Sequence, residues 1–163
     1  MADKKNNAAE MMIQVDDGLR RIPIKNSIGQ EIGVFFFRPT DLGIMDRYNR
    51  MMEQFDEVLK PLENASIGTD GEAADPTDKE TVEAIATATA NINRLLDELF
   101  DGNFAEAFFG KMNPFSPVGG RFYCENAIDA VGKFIENAFG MEAETMSKHT
   151  EKYTAPYRKG AKK

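Results

Sequence analysis

Between residues 31 and 45 the hydrophobic period of this chain changes from two to about three and a half, and this change constrains the fold more than any other feature. In EIGVFFF (31–37), Ile32, Val34 and Phe36 share one face, and Phe35 and Phe37 share the other. With both faces apolar, the segment reads as a strand covered on both sides. Arg38-Pro39-Thr40-Asp41 ends it. Pro39 disfavours helical angles at Arg38, Thr40 is the predicted cap of the next helix, and Asp41 suits the positive end of that helix. Beyond the cap, Met45, Tyr48, Met52, Phe55, Leu59 and Leu62 step by three and four, with Ile44, Met51 and Val58 widening the stripe. Pro61 is expected to close this helix near Lys60.

Upstream, Met11, Ile13 and Val15 alternate with Met12, Gln14 and Asp16. Asp17-Gly18 supplies a turn signal. Ile22 and Ile24 alternate around Pro23, whose missing donor suits an edge strand. Asn26–Gly29 is a second turn. These runs predict a three-stranded antiparallel meander over 11–37, preceded by a disordered tail at 1–10. Downstream, residues 63–79 are acidic and rich in glycine and proline, and read as a mobile linker. Val82, Ile85, Ile92, Leu96 and Leu99 mark a second helix, stopped at Gly102. Phe104 and Phe108 share a face of a short third helix. NPFSPVGG (113–120) reads as a loop. Ala127, Val131, Phe134 and Ala138 mark a last helix, with Gly140 as its stop. The expected fold is α+β and mainly α: a small N-terminal antiparallel β-meander followed by a bundle of three to four helices. The helices fall at about 41–60, 78–101, 103–111 and 121–139, in one domain spanning 11–140. A polar, basic-ended tail at 141–163 follows.

The charge balance excludes one broad class. Twenty Lys and Arg stand against 27 Asp and Glu, a net charge of −7, and nucleic-acid binders usually carry the opposite balance. No apolar run reaches the length of a membrane span. The single cysteine, Cys124, precludes an intrachain disulfide and suits a reducing cytoplasm.

No catalytic constellation is visible. The one histidine, His149, falls in the polar tail, where nothing positions it as a base. Cys124 lies in an apolar helical pattern and reads as a small buried hydrophobe. Asp97 and Glu98 are neighbours whose side chains diverge on a helix. Gly119-Gly120 before Arg121 has two readings, a turn and an anion-binding nest, and the turn is the simpler. A non-enzymatic chain without metal or cofactor is therefore expected.

Two features suggest interaction. Phe100, Phe104, Phe108, Phe109, Phe115 and Phe122 crowd into 23 residues. Much of this cluster must be core, and core alone is the simpler reading; yet an 18.2 kDa chain need not hide every ring, so Phe104, Phe108, Phe109 and Phe115 are also candidates to lie at or beneath a partner surface. The C-terminal tail adds Lys152, Arg158 and Lys159 as candidates for docking on acidic surface.

Two phrases carry a family resemblance. One is FFFRPTDLGIMDRY (35–48), an aromatic strand meeting Pro-Thr-Asp and an Arg-bearing helix. The other is LLDELFDGNFAEAFFGKMNPFSPVGGRFYCENAIDAV (95–131). Together they make the chain resemble the tail assembly chaperones of long-tailed bacteriophages of Gram-positive hosts. Asp101 stands where the family's phrase has glycine. The resemblance implies a protein that binds and solubilises the tape measure protein, promotes assembly of the tail tube protein around it in the host cytoplasm, and is absent from the mature virion. A homo-oligomer is compatible with that role. The alternative is a structural virion component, a tail completion or head–tail connector protein.

Overall fold

The computed structural model describes residues 10–64 and 78–160, and for Asn64 and residues 150–160 only the backbone course is described. The element order is β1 (Arg20–Lys25), β2 (Glu31–Phe37), α1 (Gly43–Asn64), α2 (Lys79–Phe100), α3 (Phe104–Phe109), β3 (Pro117–Val118), β4 (Arg121–Phe122) and α4 (Tyr123–Gly160). A small antiparallel sheet is followed by helices, so the chain is α+β and mainly α.

The sheet has two strands where a three-stranded meander was expected. β1 and β2 pair antiparallel, with Ile22 opposite Phe35 and Pro23 opposite Val34. Residues 11–19 pair with neither strand. Asn26 closes the connecting turn: its side-chain oxygen accepts from the Ile28 and Gln30 amides at 3.1 and 2.9 Å. β2 is not covered evenly on both faces. Phe35 and Phe37 are buried, while Phe36 on the opposite face is exposed.

The far edge of β2 is closed by a side chain. Asn103, at the α2–α3 junction, donates to the Val34 carbonyl at 2.9 Å and accepts from the Phe36 amide at 2.8 Å. Its amide thus stands in for a strand residue, satisfying groups that a bare edge leaves unpaired. The approach is close enough to exclude side chains. A Cβ on Gly33 would lie 2.2 Å from the Ala107 carbonyl oxygen, and one on Gly102 would lie 2.4 Å from that of Phe36. Because Val34 and Phe36 point toward Asn103, their partners Pro23 and Arg21 point their backbone groups away from β2. The missing donor of Pro23 therefore falls on the open edge of β1.

Phe35 is the hub of the core. Its ring lies 4.2 Å from Phe37, 5.9 Å from Phe100, 5.5 Å from Phe104 and 5.6 Å from Phe108. Three of these contacts are edge-on, the geometry the ring quadrupoles favour. Around the hub pack Met51, Val58 and Leu62 of α1, Ala88, Ile92, Leu95, Leu96 and Leu99 of α2, and Cys124, Ala127 and Val131 of α4.

Arg47 sets the relation of α1 to α2. It donates to the Leu99 carbonyl at 2.8 Å and to Asp41 at 2.8 Å. The start of α1 thus meets the end of α2, and the two helices run antiparallel. Asp41, rather than Thr40, caps α1 by accepting from the Gly43 amide at 2.9 Å. The Arg47 guanidinium and then this amide hold the Asp41 carboxyl below its usual range.

Two expected helix ends move. α1 runs through Pro61 to Asn64, because a proline in the last turn removes only one backbone bond and Leu62 behind it is buried. α4 runs through Gly140 to Gly160, so residues 141–160 are helix where a tail was expected. Glycine costs a helix only about 1 kcal/mol, and helix formers flank it, with Lys148 and Glu144 paired at 3.6 Å. α2 and α3 fall within the expected bounds. Asp101 ends α2 in the left-handed region, at φ 47°, a conformation that aspartate tolerates better than most side chains. The 113–120 loop contains half of a small hairpin: β3 pairs with β4 across Gly119-Gly120 at φ 65° and 78°, the two-residue turn that requires positive φ twice. Residues 1–9 of the expected tail and 65–77 of the expected linker lie outside the described residues.

Asn103→Ala should lower stability by about 1–2 kcal/mol, read from chemical denaturation, since two strand-edge groups lose their partners. Gly102→Ala should cost more, because backbone must move. The Asp41–Arg47 pair has a definite pH signature. A depressed carboxyl stabilises the fold above its unfolded pKa of about 3.9, and that contribution fades as pH falls below it. Asp41→Asn should therefore flatten the acid limb of a melting-temperature profile, and an unchanged limb would contradict the assignment.

Candidate partner-binding surface

The aromatic candidates go inside. Phe104 is fully buried, and Phe108 and Phe115 are 7% exposed. Phe109 is half-buried, its ring 5.5 Å from Phe104 and 5.8 Å from Tyr123. α3 is placed from both ends: Asp97 accepts from the Ala105 amide at 2.8 Å, and the Tyr123 hydroxyl donates to the Phe108 carbonyl at 2.8 Å. Of the two readings of this segment, core alone or core with an interface, the burial favours core, and the segment offers a partner little side-chain area. For Lys152, Arg158 and Lys159 the backbone is helical, and their side chains lie outside the described residues. His149 is exposed on α4.

The apolar surface lies elsewhere. On α1 the buried line is Met51, Val58 and Leu62, with Ile44 and Phe55 packed beside it. The longer stripe read from the sequence splits away from this line. Met45, Tyr48 and Met52 are 68%, 45% and 48% exposed. At 100° per residue they form a continuous strip beside the core-facing line, extended by Leu59. Leu42, also exposed, precedes it. Its far flank is acidic. Asp46 pairs with Arg50 at 2.9 Å, and Lys60 pairs with Glu57 at 2.5 Å. Among the described residues, Glu53 and Asp56 on this flank make no ion pair within 4.0 Å, although the Asp56 charge acts on Lys60. Methionine suits such a strip, since its unbranched thioether adapts to varied partners.

Cys124 is buried, and burial, followed by the neighbouring Glu125 charge, pushes its thiol up to about 11. That is the opposite of an activated nucleophile. Among the described residues, no three His, Cys, Asp or Glu side chains gather as a metal site. Gly119-Gly120 is used by the β3–β4 turn. No described helix is long and apolar enough to cross a membrane.

Comparison of the chain with protein-family models, with curated proteins and with solved structures finds no match.

The Met45–Met52 strip was legible as an apolar stripe. Its division into a buried and an exposed line was not, because both lines step by three and four and only the position of α2 separates them. Two measurements check this surface. A disulfide-exchange reagent at pH 8 should leave native Cys124 unlabelled and label it fully in denaturant. Phe104→Ala should destabilise by about 3–5 kcal/mol, the cost of a core cavity, where an interface ring would cost far less.

Proposed function

We propose that this protein is a non-enzymatic assembly chaperone of the phage tail type. It shields the tape measure protein, a long helical client, until tail tube subunits assemble around that client in the host cytoplasm. The observation that supports this reading is the exposed Met45–Tyr48–Met52 strip on α1. A helix with apolar residues at i, i+3 and i+7 facing solvent is half of a helix–helix interface. The exposed carboxylates Glu53 and Asp56 on its flank favour a client helix whose apolar stripe is bordered by Lys or Arg. The contact is narrow and methionine-rich, which suits a client that must later be released. Net charge keeps the loaded complex dispersed.

The test is co-expression with a tape measure protein, comparing the client's soluble fraction and its co-elution with this chain. Wild type should raise solubility and co-elute. Met45→Glu/Met52→Glu should lose both while its melting temperature stays within a few degrees of wild type, since these side chains support little of the core. A folded double variant that still solubilises the client would remove α1 from the role. A client left insoluble by the wild type would remove the role itself.

A further inference from the structure

Residues 10–15 form an extended apolar arm that the domain does not use. Met11, Met12, Ile13 and Val15 are the most exposed run of large apolar side chains among the described residues. Four apolar side chains left in water are an unfinished contact. The root of the arm, by contrast, is held firmly. Asp16 accepts from the Gly18 amide at 3.0 Å and from Arg20 at 2.9 Å. Asp17 accepts from the Leu19 amide at 3.1 Å and from Arg38 Nε at 2.9 Å. Gly18 takes φ 83°.

The same chain carries a receptor for such an arm. Among the described residues, no strand pairs with the outer edge of β1. Beside it lies an apolar cavity of about 230 Å3, lined by Ile22 and Ile24 of β1, Phe35 and Phe37 of β2, Phe108 of α3 and residues 130, 131 and 134 of α4. An antiparallel alignment that sets Ile13 opposite Ile22 also sets Met11 opposite Ile24. Residues 11, 13 and 15 then fall on the cavity side of the sheet. The same alignment sets Glu10 opposite Lys25 and Gln14 opposite Arg21 on the other face, so charge complements at the arm's end. Backbone groups of Arg21 and Lys25 point to this edge, and Pro23 withholds only one donor.

Within one chain, that pairing requires residues 16–19 to reverse the strand as a hairpin loop. Their side-chain bonds to Arg20 and Arg38 fix them in a course that leaves 11–15 unpaired with β1. We infer that the arm pairs instead with β1 of a second copy, and reciprocally, giving a two-fold dimer by strand exchange. The hairpin that the residues encode is thus completed between chains, the usual logic of an exchanged element. Exchange joins two identical halves and closes on itself, so it predicts a dimer rather than a filament.

The test uses full-length protein with Cys124→Ala to remove the native thiol. One tagged copy carries Ile13→Cys and a second, differently tagged copy carries Ile22→Cys. Ile13 and Ile22 would form a non-hydrogen-bonded pair, whose Cα separation of about 4.5 Å lies within disulfide range. Mixing and mild oxidation should give a disulfide between the two tags, located by peptide mass at 13 and 22. The double variant Ile13→Cys/Ile22→Cys should run as a covalent dimer. An intrachain 13–22 disulfide in a monomer would overturn the inference, as would the absence of any 13–22 bond. Sedimentation provides the second arm. Wild type should show twice the chain mass, and Ile13→Asp/Val15→Asp should show the mass of one chain with its melting temperature retained, because these side chains touch nothing in their own domain. A monomeric wild type at about 100 μM would overturn it equally.

Discussion

The edge of β2 is where the fold is decided. A two-stranded hairpin is marginal alone in water. Here its inner strand gains a third neighbour without a third strand, because the Asn103 amide bonds Val34 and Phe36 as a strand would. The glycines at 33 and 102 allow the chains to approach that closely. That contact seats the α2–α3 junction against the sheet and places Phe100, Phe104 and Phe108 around Phe35. Without it the rings would have no common centre.

From this hub the rest follows in layers. α2 supplies more core residues than any other element, and α1 packs along it, held in direction by Arg47. α4 joins through Cys124, Ala127 and Val131, and meets the sheet where Phe134 lies 6.1 Å from Phe37. It then continues as a helix of 38 residues, about 57 Å long at 1.5 Å per residue. The core takes up Phe35, Phe37, Phe100, Phe104, Phe108 and Phe115, while Met45, Tyr48 and Met52 stay exposed on α1.

The two apolar features left over are separate in place and character. The α1 strip is helical, acidic on its flank and fit for a helix. The N-terminal arm is extended, and its complement is an open strand edge. A dimer formed by exchanging arms leaves both α1 strips available to a client.

The sequence by itself determined the change from strand to helix at Arg38–Asp41, the existence of four helices, the end of α2 and the hairpin at 20–37. Each rests on local causes: period, caps, proline and turn residues. It also determined that Cys124 and His149 sit in no catalytic motif. Only the tertiary structure decided which of two adjacent stripes on α1 faces the core. That depends on where α2 lies, and α2 is 14 residues away across the linker. It decided between core and interface for the phenylalanine cluster, because a ring's burial depends on β2 arriving from far along the chain. It showed Pro61 and Gly140 inside helices, since a local breaker costs less than the packing and helical continuity around it provide. And it left Met11–Val15 unpaired with β1, beside an Asp17 that binds Arg38, 21 residues away in sequence. Local chemistry chose the elements; contacts distant in sequence chose their faces.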